Sequence, residues 1–230
     1  MNKPRAKTKV KLFVWDGVKY IPAIGLFPYQ YIEDVGFIRC RDLGVELETD
    51  LCITSTGLTN RYEKLHDIAS KILKSINSRY TLVNHPVASF DKHSFKDLPK
   101  EERVVSYEPS FDEEGNMIEI PDLSLEPLRF GGGHYTLQWL NQEVPEKLTL
   151  DHFNNCNALA KKLAQSPFTQ PRTLLEKWRH RYFGHSSSFR PTKYGIEITS
   201  PSNSWARTRN IREGMFNSMD SLFNKSGIIK

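Results

Sequence analysis

No apolar run in the 230-residue chain approaches the roughly 18 residues of a membrane-crossing helix, which excludes an integral membrane protein of that kind. Cysteine is scarce. Cys40, Cys52 and Cys156 are odd in number and far apart, so they read as reduced thiols of a cytoplasmic protein rather than a disulfide framework. The basic start, MNKPRAKTKVKLFVW, lacks the apolar core and small-residue cleavage site of a secretory signal. There is no internal repeat. No Gly-x-Gly-x-x-Gly, no Gly-Lys-Ser/Thr and no Gly-x-Ser-x-Gly occurs, so the common nucleotide loops and the nucleophile elbow are missing. His66, His85, His93, His134, His152, His180 and His185 never fall at metal-ligand spacing, and the cysteines never pair as Cys-x-x-Cys. Neither a metal nor a cofactor is expected.

Charge is abundant and uneven. The net charge is +5, but residues 1–20 hold six basic groups against one acidic. Residues 100–150 hold eleven acidic groups against four basic, and residues 167–230 eleven basic against four acidic. Two basic ends around an acidic middle point to nucleic-acid contact at the ends, DNA more than RNA, with solvated termini as the plainer alternative.

Residues 1–8 read as a disordered basic arm. Residues 10–15 and 18–21 flank Asp16-Gly17, a type I′ hairpin signal. Residues 35–41 and 45–54 read as strands, with Glu46 and Glu48 alternating with Val45 and Leu47. Tyr62, Leu65, Ile68, Ala69, Ile72, Leu73 and Ile76 predict a helix over 61–76, capped by Asn60 with Glu63 three residues on. The proline-punctuated stretch 84–125 predicts little order beyond a hairpin of 103–107 with 117–120. Strands follow at 128–130 and 134–140, joined by Gly131, Gly132 and Gly133. After a boundary at 143–148, helices are expected over 150–163 and 171–183, the second with Leu174, Leu175, Trp178 and Tyr182 inward. A Ser-rich loop at 186–188, a hairpin of 193–199 with 204–208, and a last helix carrying Ile211, Met215, Phe216, Met219, Leu222 and Phe223 complete the chain. The fold class expected is α+β. Residues 1–145 form a mixed, mostly antiparallel sheet with one long helix; residues 146–230 form a basic three-helix module with an inserted β-hairpin.

Four features carry candidate chemistry. Arg179, His180 and Arg181 diverge by about 100° per residue on a helix, so they cannot meet at one phosphate; they read as a basic outer face above Trp178 and Tyr182. Gly131-Gly132-Gly133-His134 is either a flexible turn or a place where a phosphate approaches the backbone. Glu46 to Asp50 resembles half of a nuclease carboxylate set, without the Lys-bearing strand that completes it. Arg190, Lys193, Arg207, Arg209 and Arg212, interleaved with Phe189 and Trp205, have the composition that meets a sugar–phosphate backbone, unless Trp205 packs inward and the arginines pair with Glu197 and Glu213.

The sequence Thr208-Arg209-Asn210-Ile211-Arg212, with Met215-Phe216, Leu222-Phe223 and Gly227-Ile228, resembles the last helix of the core-binding region of phage-type tyrosine recombinases. The expected helices at 150–163 and 174–183 resemble its first members, so the likeness covers residues 149–230. It implies a helical clamp on DNA. The loop 185–204 is long for that module, and no catalytic domain follows Lys230, so the resemblance implies DNA binding without cleavage.

The sequence therefore predicts a non-enzymatic DNA-binding protein of a nucleoprotein assembly or of mobile DNA. Its phosphate contacts would come from Lys7, Lys9, Lys11, Arg179, Arg181, Arg190, Lys193, Arg207, Arg209 and Arg212, with Trp205 stacking. A protein–protein adaptor or subunit of a larger complex, and a metal-dependent nuclease using His134 or His180, are the alternatives.

Overall fold

The computed structural model describes residues 4–105, 108–140, 149–185 and 187–227. The expected boundary at 143–148, Ser106, Tyr107, Ser186 and Ile228 lie outside them. In chain order the first half forms β1 (Arg5–Trp15), β2 (Tyr20–Ile21), β3 (Gln30–Ile32), β4 (Gly36–Arg41), β5 (Gly44–Thr49), α1 (Ser55–Ile76), β6 (Thr81–Val83) and β7 (Val87–Ser89). Next come α2 (Lys92–Lys96), α3 (Lys100–Arg103), β8 (Leu128–Phe130), β9 (Gly133–Gln138), α4 (Leu150–Leu163), α5 (Leu174–Tyr182), β10 (Phe189–Thr192), β11 (Gly195–Ile198) and α6 (Arg209–Asn224). The class is α+β, with an antiparallel sheet, one long helix, and three later helices interrupted by the β10–β11 hairpin.

β1 is the middle of the sheet. It pairs with β5 on one side and β9 on the other, and the order is β10-β11-β9-β1-β5-β4-β3. The far end of β1 also pairs with β2 and β6, while β7 and β8 make a separate pair. Successive strand residues point to opposite faces. Ala6, Val10, Leu12 and Val14 therefore share a face with Val45 and Leu47, Tyr135 and Leu137, and Ile196 and Ile198, all buried. α1, α4 and α6 cover that face with Leu58, Leu65, Leu73, Cys156, Leu159, Met215, Phe216 and Met219 in one continuous core. Lys7, Lys9 and Lys11 stand on the other face.

The core and the sheet run across position 145. β11 continues the sheet from β9, so residues 1–145 and 146–230 contribute to the same interior. The expected arm is corrected too. Ala6 exchanges both backbone hydrogen bonds with Cys52 while facing Leu137, so residues 5–8 are strand because both neighbours satisfy their backbone. α1 starts at Ser55, where the Thr54 hydroxyl accepts from Gly57 N; Asn60 and Glu63 lie inside the helix. The hairpin expected at 193–199 with 204–208 is instead β10 with β11 across Lys193-Tyr194. Residues 203–206 form a 3-10 turn whose Asn203 amide donates to Lys11 O and His85 O, and whose Trp205 indole donates to Gly133 O. Residues 100–103 are helical and Phe111 bridges Met117 and Phe189, while the hairpin expected of 103–107 with 117–120 falls partly outside the described residues.

The three glycines at 131–133 are close-packed. A Cβ on Gly131 would meet Asn203 Nδ2 at 2.3 Å, and one on Gly133 would meet Trp205 Nε1 at 2.3 Å and Ser202 O at 2.4 Å. Gly133→Ala is therefore expected to destabilise the fold by about 3 kcal/mol, the upper range for overpacking. Gly17→Ala, at φ +96° with nothing within 4 Å, should cost about 1 kcal/mol through backbone strain alone. Urea unfolding of the two variants separates these figures, and equal losses would contradict the close packing at Gly133.

Candidate functional site

The polar face of the sheet carries charges in rows. Across the strands, Arg190 sits opposite Glu197, His134 opposite Lys9, Lys9 opposite Glu48, and Lys11 and Arg39 on either side of Glu46. Side chains of opposite sign thus lie beside one another along the sheet, the arrangement in which cross-strand pairs attract. Lys9 Nζ is 3.2 Å from Glu197 Oε1, and Arg190 Nη1 is 3.1 Å from Glu197 Oε2. Arg39 donates through Nε to Glu46 at 2.7 Å and through Nη2 to Glu48 at 3.1 Å. Lys7 binds Glu48, and Lys11 Nζ binds Asp42 Oδ2 at 2.6 Å.

Asp42 is delivered by a two-residue turn between β4 and β5. Asp42 (φ 48°) and Leu43 (φ 67°) both adopt the left-handed conformation that a type I′ hairpin demands. Leucine is a poor choice for that conformation. Its buried side chain, packed with Phe13, Phe90 and Phe95, holds it there.

Above these charges lies a small cleft of about 50 Å³ that opens to solvent. Lys9, Lys11, Arg41, Asp42, His134 and Arg190 line the sheet side. Ser110, Ile118, Ile120, Phe130, Tyr182 and Phe183 line the opposite side, with Gly132, Arg179, Gly184 and Thr199 completing the wall. Arg190 ties the 108–120 segment down by donating through Nε to Glu108 O and Pro109 O.

Burial and charge act against each other here. Burial raises the Glu197 carboxyl, but His134, Lys9 and Arg190 outweigh it and hold Glu197 well below the usual carboxylate range. Burial lowers the His134 imidazole more than Glu197 raises it, so His134 is neutral at pH 7. Its Nδ1 lies 3.4 Å from Glu197 Oε1, and its Nε2 lies beside Gly132. Burial also works to lower Lys9, yet Glu197, Glu48 and Glu46 raise it overall, so its ammonium stays charged.

The structure separates the residues expected to contact phosphates. Lys7, Lys9, Lys11 and Arg190 converge on the cleft face, each held by a carboxylate. Arg179 is buried at its end and donates to Ser200 O at 2.9 Å and to Thr199 O. Of the residues expected inward on α5, Trp178 and Tyr182 pack on Phe130, whereas Leu174 and Leu175 are exposed. Leu174 is 83% exposed, whereas Glu176 is buried, because Glu176 closes the capping box with Thr173 and accepts from Ser202. Arg181, on the same helix, is exposed, as is Lys193 in the β10–β11 turn. Arg209 and Arg212 bind Glu63 on α1, Arg212 with its guanidinium 4.9 Å above the Tyr62 ring. Arg207 is exposed and donates to Asn84 O. Trp205 is 5% exposed and Phe189 fully buried, so neither ring is open to stack on a base.

Sequence reasoning missed Arg39, Arg41, Asp42 and Thr199 as site residues, and placed Glu197 only as a salt-bridge partner. Alternation of charged with aliphatic residues in Phe37 to Arg41 and in Ile196 to Ile198 was the available signal.

Compared with known proteins, the chain matches no family model, no curated protein and no solved structure. The three helices of residues 149–227 are arranged around the sheet: α4 packs on β10, β11 and α6, α6 on α1, and α5 on β7.

The depressed histidines set an acid limit. Burial, with Arg179 next, pushes His180 down to about 4. In the unfolded chain an imidazole binds its proton near pH 6.5, in the fold only at lower pH, so unfolding takes up protons in between. Stability contributed by neutral His134 and His180 is present above pH 6.5 and lost as pH falls toward their folded values; that from Glu197 is present above about pH 4.5 and lost below it. His180→Asn should flatten the decline of urea midpoint between pH 6.5 and 4. An unchanged slope would remove His180 from this account.

Proposed function

We propose that the chain binds a small anionic molecule, carrying a carboxylate or phosphate group, in the cleft on the charged face of the sheet, and acts there as an enzyme. The observation that carries this reading is the set of cationic side chains, Lys9, Lys11, Arg41 and Arg190, that with Asp42 and His134 line one cleft above the ion pairs of the sheet. Buried ion pairs are weak sources of stability, and apolar residues in their place are often neutral or stabilising. A fold that keeps them around a cleft is using them on a ligand. Basic groups exceed carboxylates on this face, so an added anion improves the balance. Lys9, Lys11 and Arg41 would hold it. His134, neutral and beside Glu197, would take a proton from a bound group.

The nucleic-acid reading fits less well, because Lys9, Lys11 and Arg190, expected to meet phosphates, line this cleft rather than an open surface. Among the described residues no helix is long and apolar enough to cross a membrane.

Calorimetric titration with acetate, citrate, inorganic phosphate and pyrophosphate tests the proposal. Saturable binding of at least one is expected, weakened roughly 10- to 100-fold in Lys9→Met, the worth of a charged hydrogen bond, and largely restored in Lys9→Arg. No binding by any of the four, or undiminished binding to a folded Lys9→Met, would overturn it. Nucleic-acid binding that persists in Lys9→Met would move function to the exposed Arg181, Lys193 and Arg207.

A further inference from the structure

The two walls of the cleft are chemically unlike. The sheet wall is charged: Lys9, Lys11, Arg41 and His134. The facing wall is apolar: Ile118, Ile120, Phe130, Tyr182 and Phe183. Free phosphate or a short carboxylate needs only the first. With such a ligand, the second would stand against water, and apolar surface in a ligand site gains from covering. Ile118, Ile120 and Tyr182 are only half-buried while lining the cleft, so each keeps surface for a ligand to cover.

This wall is also flat and fixed. Tyr182 stacks on Phe130 with ring centroids 5.5 Å apart and planes 30° apart, and Phe183 packs on Phe130 at 4.7 Å. Gly184 anchors the end of α5 behind them. Its φ is +67°, and a Cβ there would meet Arg179 Nη1 at 2.5 Å and Ser200 O at 2.8 Å. The backbone that presents Tyr182 and Phe183 is thereby clamped to the strand exit at 199–200.

We infer that the ligand of this cleft is an anion joined to a flat apolar body, an aryl carboxylate or an aryl phosphate monoester. This rests on the anion-site reading and adds the class of molecule. The anionic end lies on Lys9, Lys11 and Arg41. The ring lies against Tyr182, with Ile118 and Ile120 at its edges. Both sources share one chemistry, and paired ligands tell them apart.

The test is calorimetric titration of the whole protein with acetate against benzoate, and inorganic phosphate against phenyl phosphate. In at least one pair the aryl member should bind ten-fold or more tightly than its partner, and the pair showing the gain identifies the anion. Tyr182→Ala should abolish the gain while leaving acetate or phosphate binding within two-fold; Ile118→Asn should reduce it. Circular dichroism melting checks that both variants fold. Equal affinities within both pairs, or a gain that survives both substitutions, would overturn the inference and leave the anion site standing. Failure of all four ligands to bind the wild-type protein would overturn the anion site as well.

Discussion

Everything in this molecule hangs on the pairing of β1 in the middle of the sheet. Its hydrogen bonds run to β5 and β9 along most of its length, and to β2 and β6 at its end. Pairing on both edges fixes its register, and with a period of two the register decides which side chains meet the helices. A shift by one residue would drive Lys7, Lys9 and Lys11 into the apolar core and expose Val10, Leu12 and Val14. Burying unpaired ammonium groups is far costlier than any other register error, so the lysine row specifies the sheet as strongly as the aliphatic row does.

The charged face is built against ordinary preferences for stability. Its carboxylates and cations are drawn partly out of water, and at one corner a leucine is held left-handed so that the preceding aspartate reaches Lys11. Strain and buried charge of this kind gather where a fold is shaped for a ligand. The opposite face is mostly aliphatic, aromatic and thiol side chains against three amphipathic helices, with the Arg212–Glu63 pair at its margin. One sheet thus separates an apolar side from a charged side.

Much of this was legible in the sequence. The 3.6-residue repeats of α1 and α6 and the alternation around Val45 and Leu47 marked elements that the structure contains. Residues 5–8 misled because a strand rich in lysine resembles a solvated tail; only the distant Glu48 and Glu197 show what the lysines face. The first turn of α5 misled because polar Glu176 and Arg179 are buried there while Leu174 and Leu175 are exposed. The capping Glu176 and Arg179 satisfy backbone groups of residues 199–200 and the Ser202 hydroxyl, contacts that no local periodicity records. The site escaped for the same reason, since strands separated by more than a hundred residues supply its parts. The basic ends counted as one charge signal turned out to be pieces of two different ion-pair networks.

The central place of β1 also bears on how the chain assembles. β1 is the strand with the most neighbours, and one of its partners, β9, follows it by more than a hundred residues. The β1–β5 hairpin layer forms early with one edge open, carrying unpaired backbone donors and acceptors. Contacts of such long sequence separation close slowly and leave that edge available to other chains meanwhile. Lysine at every second position of the open edge is the residue that discourages such pairing, so the row that later floors the cleft guards the nascent sheet first.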